Sequence, residues 1–398
     1  MDCLLVEPKR PRSWGHNNQH VGLLRIGSAL QFTGNRVEWV VSPAMPERIE
    51  APGEIYITSM FTYDYQLVWD AVRIYRAAYP GAKIIVGGIY ATIMPEHAKQ
   101  SGADEVLAGQ HPLGAEYPPD PSILPYPQDF GYLFTSYGCD MACTYCATHL
   151  LYGPGIRQLP VQRVIDEIKF VSSRGLREVW FGDDNLLYGS ATHINEICEA
   201  ILSAGINCHF RVQGGMSAKD FSRKTALLMR RAGFVEISFA IESTDPEVRR
   251  MMGRKANTDN DMLVQALRYA DEAGFQRQNT NVYFIIGLPY QSLGSMVDTA
   301  AFLISQGVWA HPQRLTPIPH TAEWKRLGLE DVDPAELHYT RYVAPGEFSA
   351  EDLGAIYQIC RFINMGTRYG GMNIIAARNR VYRTFWQRLS SHYQWTGK

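Results

Sequence analysis

The pattern that most limits the fold of this chain is a repeated alternation of short apolar runs with amphipathic helical segments. It occurs twice and is interrupted once by proline. In the first stretch, Cys3-Leu-Leu-Val-Glu7, Val37-Glu-Trp-Val-Val41, Ile55-Tyr-Ile-Thr-Ser59, Lys83-Ile-Ile-Val-Gly-Gly88 and Glu105-Val-Leu-Ala-Gly109 read as strands. Helical spacing runs over Val21 to Phe32, Tyr65 to Ala78 and from about Pro95. Strands that alternate with helices imply a parallel sheet covered on both faces, here a Rossmann-like domain over 1–115. Ser42 to Gly53 is too short for a full crossover helix, so that connection is expected to be abbreviated. Five prolines from Pro118 to Pro127 make 116–130 an extended strap between domains. The alternation resumes at Tyr132, with strands expected near 132–137, 177–183, 206–212, 234–241, 280–287 and 308–315. Helices are expected near 160–174, 191–204, 222–232, 245–251, 258–273 and 292–306. A second α/β domain therefore covers 131–320, and a helical region follows over 321–398.

Composition narrows the setting. With 398 residues, 46% of them hydrophobic, the chain can bury two cores. A net charge of −2 with no long run of one sign points to neither nucleic acid nor a membrane surface. No window reaches the roughly 20 apolar residues of a membrane span, and the first residues lack a basic-then-apolar leader, so the expected location is the cytoplasm. Seven cysteines, three of them clustered, fit a reducing compartment better than a disulfide scaffold. Cys3, Cys198, Cys208 and Cys360 sit in apolar or helical settings expected of buried structural thiols, Cys360 being the least easily dismissed. His16 and His20 are expected to be solvated loop residues.

The three clustered cysteines are Cys139, Cys143 and Cys146, at C-x3-C-x2-C, with Tyr145 directly before the last. Three thiolates on one short loop can close around a metal centre, one short of the four that saturate a structural zinc or a [4Fe-4S] cluster. A nearby side chain such as His149 would complete a zinc site. A vacant fourth position would instead leave one iron open to a small ligand.

This loop resembles the signature of the radical S-adenosylmethionine (SAM) superfamily, C-x3-C-x-aromatic-C. The resemblance implies that Cys139, Cys143 and Cys146 hold three irons of a [4Fe-4S] cluster while SAM chelates the fourth. It also implies that 131–320 is a partial (β/α)6 TIM barrel. Further matches follow at the strand ends expected to carry chemistry in parallel barrels. Trp180-Phe-Gly-Asp-Asp-Asn185 matches the segment that receives the SAM amino group, implicating Asp183 or Asp184. Glu242, in Phe239-Ala-Ile-Glu-Ser-Thr244, implies a carboxylate on the ribose hydroxyls. Arg254 implies a partner for the SAM carboxylate. Tyr283-Phe-Ile-Ile-Gly-Leu-Pro289 implies backbone contacts to adenine at Ile286 and Gly287, although Tyr290-Gln291 stands where the family has Gly-Glu. Arg211 and Thr316 to Thr321 are expected to face the substrate space.

The run from Val86-Gly-Gly88 to Gly109 resembles the cobalamin-binding domain that precedes many of these barrels. The D-x-H-x-x-G loop that supplies a histidine to cobalt is absent, which leaves a base-off cobalamin or a degenerate domain that only covers the site. The resemblance thus implies an enzyme that cleaves SAM reductively, with an external electron donor such as flavodoxin or ferredoxin and a small-molecule substrate. With cobalamin, the leading outcome is methyl transfer; without it, rearrangement, deoxygenation or transfer of another SAM-derived group. A non-catalytic Fe-S electron-transfer protein is the reading from a different class.

Overall fold

The computed structural model describes residues 1–8, 19–187, 191–253 and 258–369, with 384, 385, 387 and 388. The first sheet is built by β1 (Asp2–Glu7), β2 (Arg36–Val41), β3 (Glu54–Ile57), β4 (Lys83–Val86) and β5 (Glu105–Val106), with α1 (Val21–Phe32), α2 (Tyr65–Ala78), α3 (Ile89–Ile93) and α4 (Pro95–Lys99) between them. All its pairings are parallel and the strand order is β2-β1-β3-β4-β5. This is the doubly wound order whose reversal beside β1 opens a crevice at the carboxyl ends. The period of two along each strand feeds two cores. Leu4, Val6, Ile55 and Ile57 pack on one face, and Cys3, Leu5, Tyr56 and Ile85 on the other. As expected, no helix joins β2 to β3.

The proline segment is more than a strap. Ile123 and Leu124 are buried in the core beneath α1, where a Cβ at Gly27 would stand 3.0 Å from Ile123 Cδ1. Proline excludes helix and ladder, but it does not stop adjacent apolar side chains from docking.

The second unit begins with β6 (Phe130–Leu133), β7 (Ser136–Gly138), α5 (Thr148–Tyr152), β8 (Ile156–Gln158) and α6 (Val161–Ser173). It continues through β9 (Glu178–Phe181), α7 (Thr192–Ser203), β10 (His209–Val212), α8 (Arg223–Ala232), β11 (Phe234–Glu242), α9 (Pro246–Met251) and α10 (Asn260–Ala273). Then come β12 (Thr280–Ile286), α11 (Leu293–Ser305), β13 (Trp309–Arg314), α12 (Ala322–Arg326) and α13 (Ala350–Tyr369). Six parallel strands run in the order β13-β12-β11-β10-β9-β6, so β6 and β13 remain edges and the barrel is partial. Phe181, Phe210, Phe234, Phe239 and Phe284 are fully buried in its core. The short antiparallel pair β7-β8 stands apart and brackets the cysteine loop.

Candidate active site

The hairpin of β7 and β8 fixes both ends of the loop that carries the three cysteines. Gly138 has φ +91° and lies so close to the Gly155 carbonyl that a Cβ would reach within 2.5 Å of its oxygen. Glycine is what lets the two strands meet there. Inside the loop, Ala142 adopts φ 45°, and the Cys146 amide donates to the Cys143 carbonyl at 3.1 Å. Cys139, Cys143 and Cys146 all line one cavity of about 370 Å³ at the carboxyl ends of the barrel strands. None of the seven cysteines is in a disulfide. An all-thiolate donor set on one wall suits an iron–sulfur cluster. Among the described residues, no group of three His, Cys, Asp or Glu side chains converges closely enough for a single metal ion. Cluster ligands, each on its own iron, need no such convergence.

The two adjacent acids after β9 have separate tasks. Asp183 is 2% exposed. One of its oxygens accepts from Thr135 Oγ1 and from Ser136 Oγ, each at 2.7 Å, and both accept from the Thr135 amide at 3.1 Å. Burial raises its pKa more than these bonds lower it. Asp183 therefore braces the entry to the cysteine loop and is not in the cavity wall. Asp184 is in that wall. It accepts from Thr148 Oγ1 at 3.0 Å, and that hydroxyl lies 3.2 Å from Cys146 Sγ. Burial raises the Asp184 pKa, opposed by Thr148 and the Gly138 amide.

Glu242 also lines the cavity. It ends β11 after a register shift against β12 and holds φ 65°. A left-handed conformation at a non-glycine residue costs about 1–2 kcal/mol, and such strain concentrates at functional positions. The Tyr145 hydroxyl is pushed far up, first by burial and then by the negative charges of Glu242, Cys143 and Cys146. From β12, Tyr283 and Ile285 face the cavity, whereas Ile286 packs in the barrel core. Gly287 holds φ +92°, faces Leu353, and donates its amide to Met296 Sδ at 3.2 Å. Arg254 lies outside the described residues.

Several positions depart from expectation. Arg211 does not face the substrate space: it bonds Glu178 and Glu236, each at 2.6 Å, deeper among the strands. His20 is buried rather than solvated, 3.3 Å from Glu7 Oε1 and 3.5 Å from Thr58 Oγ1, so both ring nitrogens are engaged. His16 lies outside the described residues. Cys360 is fully buried and its thiol is pushed up to about 12 by desolvation, the state of an inert core thiol. Asn185, Ser217 and Thr258 line the cavity without having been singled out. The signal was Gln213-Gly-Gly215 after β10: a Cβ on either glycine would overlap Asp183 or Ala240, so the backbone there packs closely against its neighbours, and Gly215 lines the cavity.

A second cavity, about 420 Å³, lies against the carboxyl-end crevice of the first sheet and the flank of β6. Gly22 and Gly109 line it with open space where a Cβ would point. His111 Nδ1, in the same wall, is buried without a partner among the described residues. Tyr132, Phe134, Tyr137 and Tyr152 form its barrel side. An apolar crevice with glycine gaps and a ring nitrogen left unsatisfied among the described residues fits a large, flat cofactor.

Residues 133–303 match the family model of the Radical SAM superfamily. An uncharacterized methyltransferase of Pyrococcus horikoshii is 26% identical over 198 residues, 49% of this chain and 41% of that protein. Bacteriochlorophyllide d C-12(1)-methyltransferase of Chlorobaculum tepidum is 23% identical over 289 residues, 63% and 61% of the two chains. The chain thus spans less than two thirds of either relative. The radical SAM methyltransferase TsrM of Kitasatospora setae, solved with cobalamin and a [4Fe-4S] cluster bound, shares the fold at a TM-score of 0.66 and 14% identity, over 98% of this chain and 99% of that one.

Proposed function

Because the chain carries a domain of the radical SAM superfamily over residues 133–303, we propose that it is a cobalamin-dependent radical SAM methyltransferase acting on a small molecule. When bound, the cluster supplies the single electron that breaks a SAM carbon–sulfur bond, and cobalamin supplies a carrier for the methyl group. The chain's own contribution is placement. Cys139, Cys143 and Cys146 would hold three irons from one wall of the cavity. Asp184 offers an acceptor for the SAM ammonium, and Glu242 a carboxylate that can accept from both ribose hydroxyls. Arg254 would meet the SAM carboxylate; Ile286 and Gly287, expected to hold adenine through their backbone, are outside the cavity wall, and the Gly287 amide is already donated to Met296. Tyr145 stays neutral beside the thiolates and lines the same cavity as they do.

The observation that carries this reading is that the three cysteines, Asp184 and Glu242 line one cavity while a second, glycine-gapped cavity shares α5 with it, Thr148 and His149 lining the first and Leu151 and Tyr152 the second. The names of the relatives, both methyltransferases, support methyl transfer as the reaction type. Among the described residues no helix is long and apolar enough to cross a membrane. We place the enzyme in the cytoplasm, drawing electrons from a flavodoxin or ferredoxin. The test is anaerobic reconstitution with iron, sulfide and cobalamin. We expect about four irons per chain, a corrin absorbance that stays with the protein through gel filtration, and dithionite-dependent SAM cleavage. Cys143→Ala should lose the iron and the cleavage but keep the corrin. A wild-type chain that takes up no iron would overturn the proposal.

A further inference from the structure

Glu323 lies beyond the segment matched by the family model and outside the cavity wall, yet it is tied to the cysteine loop. It sits on α12 with its side chain fully buried. Its amide donates to the Thr144 carbonyl at 2.9 Å. Its Oε1 accepts from Thr144 Oγ1 at 2.7 Å and from the Tyr290 hydroxyl at 3.1 Å, with Arg326 Nη1 at 3.5 Å. Its Oε2 is buried with no partner among the described residues. The Thr144 amide in turn donates to the Met252 carbonyl at 3.2 Å, so every polar group of Thr144 is bound. Thr144 stands between Cys143 and Cys146.

A buried carboxylate with one bare oxygen is a costly way to hold a threonine hydroxyl, because a neutral acceptor would do so without desolvating a charge. Among the described residues the cation beside it is the half-exposed Arg326, at 3.5 Å, which does not neutralise it fully. The surplus is negative charge directly behind the cysteine loop. We infer that Glu323 is a positioning residue for the iron–sulfur centre: it pins Thr144 and holds the cluster's reduction potential low. An added electron is disfavoured by a nearby buried negative charge, and net charge and hydrogen bonding around such clusters set their potential. A low potential is what one-electron cleavage of a sulfonium demands. Tyr290, which departs from the family's Gly-Glu at this place, gives its hydroxyl to this carboxylate. The inference rests on the cluster assignment of Cys139, Cys143 and Cys146.

The experiment is an EPR-monitored redox titration of the reconstituted full chain. Glu323→Gln keeps the Oε1 acceptor and removes the charge. Its iron content should match wild type, and at the wild-type midpoint its ratio of reduced to oxidised cluster should rise about tenfold, about 59 mV for a one-electron couple. Tyr290→Phe removes a donor from Oε1 and leaves the charge less neutralised, so its midpoint should move the opposite way. Should Glu323→Gln fail to fold, Tyr290→Phe carries the test. Variants that load fully and titrate like wild type, or that both shift upward, would overturn the role of Glu323 alone. A wild-type chain without iron would overturn the cluster assignment itself, and this role with it.

Discussion

Arg25→Met is the sharpest probe of how the two sheets are joined. Arg25 is on α1 of the first sheet and Glu167 on α6 of the barrel. Their side chains are 5% and 4% exposed and pair in a fork, Nη1 to Oε1 at 2.8 Å and Nη2 to Oε2 at 2.6 Å. Arg25 Nη1 also donates to the Tyr117 carbonyl at 2.7 Å. The substitution strands Glu167 in the interior with, among the described residues, only Arg163 Nε, at 3.1 Å, to meet it. Breaking a buried pair from one side costs about 3–5 kcal/mol, and the remaining Arg163 contact places the loss toward the lower end. Replacing both partners with apolar side chains is a different perturbation. Arg25→Met with Glu167→Met removes the stranded charge, and the double variant should return to within about 1 kcal/mol of wild type. Urea unfolding followed by circular dichroism measures this. Guanidinium is unsuitable because its ions screen the pair. The reasoning fails if Arg25→Met costs under about 1 kcal/mol, or if the double variant is no more stable than the single ones.

Two further outcomes follow from the site and the first sheet. Glu242→Gln should weaken SAM binding to the reconstituted chain about tenfold, near 1.4 kcal/mol, by calorimetry with iron content unchanged. Glu242→Gly should lose as much affinity yet melt no lower, because glycine accepts φ 65°; unaltered affinity in both would remove Glu242 from the SAM site. The His97 pKa is lowered by burial, partly opposed by Asp333, and its Nδ1 lies 2.7 Å from the Tyr90 hydroxyl between the rings of Tyr65 and Trp69. The folded state thus prefers neutral His97. Its stabilising contribution is present above the ordinary histidine pKa and is lost as pH falls toward the depressed value. The drop in melting temperature between about pH 7 and 5 should be smaller in His97→Gln; an equal drop would show that other groups carry the pH dependence.

The sequence made the architecture legible where local pattern and local geometry coincide. Val21–Phe32 and Tyr65–Ala78 form helices at their expected bounds, and the cysteine spacing located the loop. It failed where the outcome depends on partners far along the chain. Arg211 looked like a strand-end cation, but Glu178 and Glu236 claim it across neighbouring strands. His20 looked solvated because Glu7 and Thr58 become its neighbours only after β1 and β3 pair. Asp183 and Asp184 are chemically identical in sequence. Only the path of the backbone after β9 turns one toward Thr135 and leaves the other in the cavity wall.

The open edge of the partial barrel explains why the first sheet is bound to it so closely. Among the described residues β6 pairs with β9 on one side only, and an unpaired strand edge exposes amides and carbonyls that need partners. Gln19, which precedes α1 of the first sheet, supplies them. Its Nε2 donates to the Phe130 carbonyl at 2.6 Å, and its Oε1 accepts from the Tyr132 amide at 3.2 Å. One side-chain amide thereby imitates the next strand of the ladder. The same strand carries Tyr132, which lines the second cavity and lies so close to β9 that a Cβ at Gly182 would come within 2.5 Å of its hydroxyl. Two residues beyond the strand, Thr135 is locked by Asp183 and leads into the cysteine loop. A shift of β6 would therefore move the wall of one cavity and the entrance of the other together. The Gln19 bonds and the Arg25–Glu167 fork act on that strand and its flanking helix, and this makes the first sheet part of the active-site scaffold rather than a tethered accessory.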